Sequence, residues 1–151
     1  MTIFCDLGKA FDTCNHDILL KKMRTLGIQN TELQWFSNYL KNWQQYVTVN
    51  NISGSLLLTN TGVPQGSVLG PILFLLYIND LPKCSAFLTL LFADDTTLLL
   101  SNSDINTLIL MANQEFKKVT DFFRSNKLSL HPLKTKFLIF SNNPTIRNMK
   151  I

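Results

Sequence analysis

Leu91-Phe92-Ala93-Asp94-Asp95-Thr96-Thr97 sets two carboxylates between two short apolar runs, Leu88 to Phe92 and Leu98 to Leu100. Runs of that length between polar breaks read as buried strands. Asp94-Asp95 then belongs at the tip of a hairpin, where an Asp side chain can hydrogen-bond nearby backbone. Turn formation alone accounts for the pair. So does a metal site, because adjacent carboxylates repel each other and a hard divalent cation offsets the repulsion. A third carboxylate on a neighbouring strand decides between them. Asp6 is the candidate: Thr2-Ile3-Phe4-Cys5-Asp6-Leu7 is rich in strand formers, and Asp6 stands near its end. If that strand lies beside the hairpin, the three carboxylates converge at one end of a sheet. Such a trio suits two Mg²⁺ ions roughly 3.5–4 Å apart. Successive side chains of an extended chain point opposite ways, so Asp94 is expected to be the firmer ligand and Asp95 peripheral.

The chain has 151 residues, which suits one domain, and 46% of them are hydrophobic, enough for a real core. Charged residues are only 16%, consistent with a domain that keeps some apolar surface for neighbours. The net charge of +4 mildly favours an anionic partner. Three widely spaced cysteines, Cys5, Cys14 and Cys84, make neither a disulfide framework nor a zinc pattern. Free thiols fit a reducing, intracellular compartment. No apolar run is long enough to span a bilayer, so no membrane partner is expected.

In chain order, Gly8 to Asp12 turns after the first strand. Asn15 or His16 caps a helix from Asp17 to Leu26, stopped by Gly27. A second helix fits Thr31 to Trp43. Tyr46 to Val49 and Leu56 to Thr61 read as strands around the loop Asn50 to Gly54. Gly62 to Pro71 holds three glycines and two prolines, which no regular element tolerates. Pro71 suits the first turn of an apolar helix, Ile72 to Asn79. A long helix from about Asp104 to Ser125 repeats apolar residues at helical spacing. Phe137 to Phe140 reads as a last strand. The fold class is therefore α+β, with helices packed on one face of a largely antiparallel sheet. Residues 1–141 form the domain and 142–151 a tail.

Four segments together resemble the motifs of reverse transcriptases. Phe4-Cys5-Asp6-Leu7-Gly8-Lys9-Ala10-Phe11-Asp12 is similar to motif A. Gly62-Val63-Pro64-Gln65-Gly66-Ser67-Val68-Leu69-Gly70-Pro71, with Leu73-Phe74 and Tyr77 to Leu81 after it, is similar to motif B. Phe92-Ala93-Asp94-Asp95 is similar to motif C, and Asn126 to Leu130 with Lys134-Thr135 to motif D. The order and spacing agree over Thr2 to Phe140, and the wording resembles non-LTR (LINE-type) retrotransposon enzymes. One such motif is weak; four in order are specific.

The resemblance implies a polymerase palm-like sheet and RNA-templated DNA synthesis by two-metal nucleotidyl transfer. It implies an RNA template, a DNA primer and deoxynucleoside triphosphates as partners, and Mg²⁺, two ions, with Mn²⁺ able to substitute. Asp6, Asp94 and Asp95 match the catalytic metal ligands, and Leu7 matches a position whose backbone carbonyl can touch metal. Phe11 matches the bulky residue under the incoming sugar, which excludes a 2′-hydroxyl. Gln65 and Gly66 match the loop that meets nucleotide and template. Lys134 matches the lysine that protonates departing pyrophosphate, with Lys136 its rival. Gly8 and His131 depart from the usual motif wording. The fingers before motif A and the thumb after the palm are largely missing, so binding of primer and template is expected to be weak and activity of this chain weak or absent. Nuclear access is implied by the resemblance, without a clear basic localisation run. The alternative is an inactive transposon remnant that at most binds nucleic acid or protein. A primase-like palm is a third, weaker option, which the motif B wording disfavours.

Overall fold

The central strand of the molecule is its first. β1 (Thr2–Cys5) pairs antiparallel with β7 (Asp95–Leu99) on one side and β8 (Lys136–Leu138) on the other. β6 (Leu88–Phe92) closes the sheet against β7, giving the order β6-β7-β1-β8. The computed structural model describes residues 1–41 and 43–141; the tail expected at 142–151 lies outside them. Alternation along the strands buries one face. Ile3 and Cys5 of β1 and Thr96 and Leu98 of β7 are buried, while Phe4, Leu88, Leu90, Phe92 and Leu138 are exposed on the other face.

The buried face and the helices share one core. It joins Ile3, Cys5 and Leu98 to Leu73, Phe74 and Tyr77 of α4 (Leu69–Ile78) and to Ala112, Val119 and Phe123 of α5 (Ile105–Ser125). α4 is apolar nearly all round, as a helix with so many buried positions must be. α5 is amphipathic and opens on Asp104, whose Oδ2 accepts from Thr107 N at 2.7 Å. α2 (His16–Thr25) is capped by Asn15, whose Oδ1 accepts from Ile18 N at 3.1 Å, and α3 (Asn30–Leu40) packs against it. The structure is the expected α+β palm-like fold. No helix among the described residues is long and apolar enough to cross a membrane.

Two regions differ from the sequence expectation. α1 (Ala10–Thr13) is a short helix where a turn was expected. The segment after α3 holds two small ladders: β2 (Gln44–Gln45) pairs with β5 (Leu57–Leu58), and β3 (Thr48–Val49) with β4 (Ile52–Ser53). These strands are exposed throughout, so no buried face lengthens them. Asn50 and Asn51, at φ 50° and 61°, close the inner hairpin as the left-handed pair of a type I′ turn. The second helix stops at Leu40, short of Trp43.

A buried tyrosine ties the elements behind the sheet. Tyr77 Oη donates to Asn126 O at 2.5 Å and accepts from Asn15 N at 3.3 Å. Lys22 Nζ donates to Tyr77 O at 2.6 Å and to Asp80 Oδ1 at 2.5 Å. Burial pushes the Tyr77 phenol up from 10.0 to about 12 and the Cys5 and Cys14 thiols from 9.0 to about 12. The folded state therefore keeps protons that the unfolded chain releases. The stability these groups contribute is complete below pH 9.0 and drains away as pH rises toward about 12. Thermal melts are expected to fall steadily over that window. In the native protein, iodoacetamide is expected to alkylate the half-buried Cys84 before Cys5 or Cys14, which mass mapping reads directly.

Candidate active site

The antiparallel pairing of β1 with β7 builds the site. Cys5 stands opposite Thr96, and the same register carried one residue further sets Asp6 level with Asp95. Asp94 occupies the turn between β6 and β7, which Phe92 and Asp95 close as a pair. Both hairpin carboxylates are exposed. Ala93, before them, is held at φ 52°, a left-handed conformation that costs a residue with a Cβ about 1–2 kcal/mol. Ala93→Gly is expected to raise the unfolding free energy by about 1 kcal/mol, read as a shift in the urea midpoint at unchanged slope.

The other side of Asp6 is zipped to the segment after α5. Leu7 bridges Leu130, Gly8 N donates to Ser129 O at 2.8 Å, and His131 N donates to Asp6 O at 2.8 Å. His131 O then accepts from Lys134 N at 3.1 Å and Thr135 N at 3.0 Å, a tight turn. That turn brings Lys134 Nζ to 3.9 Å from Asp6 Oδ1, with both side chains partly exposed. At that distance and exposure the pair adds little stability. Its use is geometric: an ammonium is kept beside the carboxylate. Lys136 instead lies in β8, opposite Phe4.

Asp6, Asp94 and Asp95 offer carboxylate oxygens at one end of one sheet, the donor type that Mg²⁺ and Mn²⁺ take. The donor chemistry fits a hard divalent cation. Among the described residues, no three His, Cys, Asp or Glu side chains are drawn closely enough to enclose one.

The glycine-rich loop packs on α1. Gly62 N donates to Cys14 O at 2.7 Å and Val63 N to Phe11 O at 2.8 Å. Gly62 has φ 90°, and a Cβ there would meet Asp12 O at 3.0 Å, so the loop approaches the helix only as glycine. Gln65 Nε2 donates to Asp12 Oδ1 at 2.7 Å. Gly66, at φ 79°, stands in open space. Phe11 is half-buried, its ring 4.9 Å from that of Phe74. The structure thus sets Phe11, Gln65 and Gly66 about one strand-to-helix turn, and Asp6, Asp94, Asp95 and Lys134 about the sheet end that feeds it. Sequence reasoning missed Asp12 as the partner of Gln65. A carboxylate facing a loop amide is a contact between distant segments, and no local pattern marks it.

The model of the family described as "Reverse transcriptase (RNA-dependent DNA polymerase)" matches residues 1–149. The "Probable RNA-directed DNA polymerase from transposon BS" of Drosophila melanogaster is 34% identical over 69% of this chain and 12% of its own length. The "Retrovirus-related Pol polyprotein from type-1 retrotransposable element R2" of Popillia japonica is 28% identical over 85% of this chain and 22% of its own length. The "RNA-directed DNA polymerase from mobile element jockey" of Drosophila funebris is 30% identical over 80% of this chain and 14% of its own length. The chain therefore spans only about a tenth to a fifth of the relatives it matches.

Proposed function

The chain belongs to the reverse transcriptase family, with relatives in non-LTR retrotransposons, and we propose that it supplies the palm of an RNA-directed DNA polymerase. The observation that supports this most is the β1–β7 pairing, which sets Asp6 level with the hairpin carboxylates. Asp6, Asp94 and Asp95, with the Leu7 carbonyl, would hold Mg²⁺ or Mn²⁺, two ions in the complete site. When bound, such ions lower the pKa of an attacking hydroxyl and neutralise charge on a leaving pyrophosphate.

The chain's own groups supply the rest. Lys134, beside Asp6, would give a proton to the departing pyrophosphate. Phe11, braced by Phe74, presents a ring where a ribose 2′-hydroxyl would otherwise fit, favouring deoxynucleotides. Gln65 and Gly66 face the incoming nucleotide and template, with the Gln65 amide oriented by Asp12. The substrates are an RNA template, a DNA primer and deoxynucleoside triphosphates, and the setting is intracellular. The flanking parts of its relatives would add phosphate contacts, so this chain alone binds primer-template weakly and extends it weakly at most.

Primer extension on an RNA template, in Mg²⁺ and then Mn²⁺, tests the reading with wild type and Asp94→Ala/Asp95→Ala. Extension that vanishes in the double variant supports it. Nucleic-acid binding with no metal-dependent chemistry in either protein favours a binding module instead.

A further inference from the structure

The root of the glycine-rich loop is held by the junction between α1 and α2. Thr61 bridges Asn15. Gly62 N donates to Cys14 O at 2.7 Å and Val63 N to Phe11 O at 2.8 Å. Those tethers are backbone to backbone. One side chain joins them: His16 Nε2 lies 2.7 Å from Gly62 O. A carbonyl can only accept, so Nε2 carries the proton. Both polar groups of Gly62 are thereby tied to the junction, its N–H to Cys14 and its C=O to His16.

α2 does not need this imidazole for its own start, because Asn15 Oδ1 caps the helix at Ile18 N. The support beneath His16 is firm. Asn15 N donates to Tyr77 Oη at 3.3 Å, Tyr77 is fully buried, and His16 follows Asn15 directly as the first residue of α2. Beyond Gly62 the loop is stiff. Only Val63 and Pro64 separate Gly62 from Gln65; both are buried, and the proline ring fixes its own φ. The direction of the Gly62 peptide is therefore passed on to Gln65, which meets Asp12 at 2.7 Å. Gly62 is the soft joint of this path, since at φ 90° it has conformations that residues with a Cβ rarely adopt. A clamp on its carbonyl removes the freedom that glycine would otherwise keep.

We propose that His16 is a positioning residue: its imidazole clamps the root of the glycine-rich loop and so sets how Gln65 and Gly66 are presented. That the loop meets nucleotide and template rests on the reverse transcriptase reading; the clamp itself rests on geometry.

Glutamine carries an amide nitrogen that can donate to the same carbonyl, whereas leucine fills the space without donating. Amide hydrogen exchange of Gly62 and Val63, followed by NMR, reports the loop root, because neither N–H is bonded to the imidazole. Exchange there is expected to quicken about tenfold in His16→Leu and to stay within about threefold of wild type in His16→Gln, with α5 amides unchanged in both. The Gln65 side-chain amide signals are expected to move in His16→Leu toward the position they take in Asp12→Ala, and to return in His16→Gln. Equal acceleration in the two variants means that the ring only fills space, and overturns the proposal. Acceleration in α5 as large as in the loop also overturns it, as does a Gln65 amide that stays where it was. The wild type supplies a check that needs no variant to fold. Long-range proton–nitrogen spectra of the neutral imidazole are expected to show the proton on Nε2, and a ring protonated on Nδ1 instead overturns the clamp. None of these measurements uses turnover. Exchange and amide shifts as expected, beside primer extension indifferent to Asp94 and Asp95, leave the clamp standing and sink the catalytic reading.

Discussion

Replacing Asp94 and Asp95 together by alanine is expected to remove Mn²⁺ binding and to cut primer extension by a factor on the order of 10³. The size follows from the role. Bound metal contributes several kcal/mol of charge stabilisation in phosphoryl chemistry, and each ~1.4 kcal/mol is a factor of ten in rate. The fold should not suffer. Both carboxylates are exposed at the hairpin end, and among the described residues neither forms a hydrogen bond or ion pair. Removing two adjacent negative charges at a turn relieves repulsion, so the unfolding midpoint is expected to hold or rise slightly. Electron paramagnetic resonance of free Mn²⁺ gives a readout that does not depend on turnover. If the double variant retains Mn²⁺ and extends as well as the wild type, the carboxylates are turn residues and no more.

The legible part of this protein is the part that buries a face. The strand leading to Asp6 and the hairpin strands are short apolar runs between polar breaks, and α5 repeats apolar residues at helical spacing, so pattern alone places them. The segment from Trp43 to Thr61 is exposed, so no core selects its register and short ladders replace the two longer strands expected. The site is legible unevenly for the same reason. Carboxylates at strand ends announce themselves, whereas the Gln65–Asp12 hydrogen bond exists only once distant segments meet. The three-residue zipper between Asp6 to Gly8 and Ser129 to His131, which carries Lys134 to Asp6, is equally a tertiary event.

Gly70→Ala tests whether the loop that holds Gln65 is fixed by the helix behind it. Gly70 is buried in the first turn of α4, and a Cβ built there would lie 2.4 Å from Pro64 O and 3.2 Å from Ser67 Oγ. Pro64 O is backbone and cannot swing aside as a side-chain tip would. The same methyl group strikes a small network: Ser67 Oγ donates to Pro64 O at 2.8 Å and accepts from Gly70 N at 2.9 Å. Overpacking costs about 1–3 kcal/mol and each lost hydrogen bond about 1 kcal/mol. The better helix propensity of alanine returns less than about 1 kcal/mol so near the helix start. The expected net loss is about 2–3 kcal/mol, a fall in melting temperature of roughly 5–10 °C for a domain of this size. Gly66→Ala is the matched comparison. It shares the loop, but a Cβ there meets nothing within 4 Å, so only the strain of φ 79° opposes it, about 1 kcal/mol. Gly70→Ala must therefore be the more damaging of the two, and it should also displace Pro64 and loosen Gln65 from Asp12. Equal stability of the two variants would mean that Pro64 yields freely, and that the loop is not braced against α4.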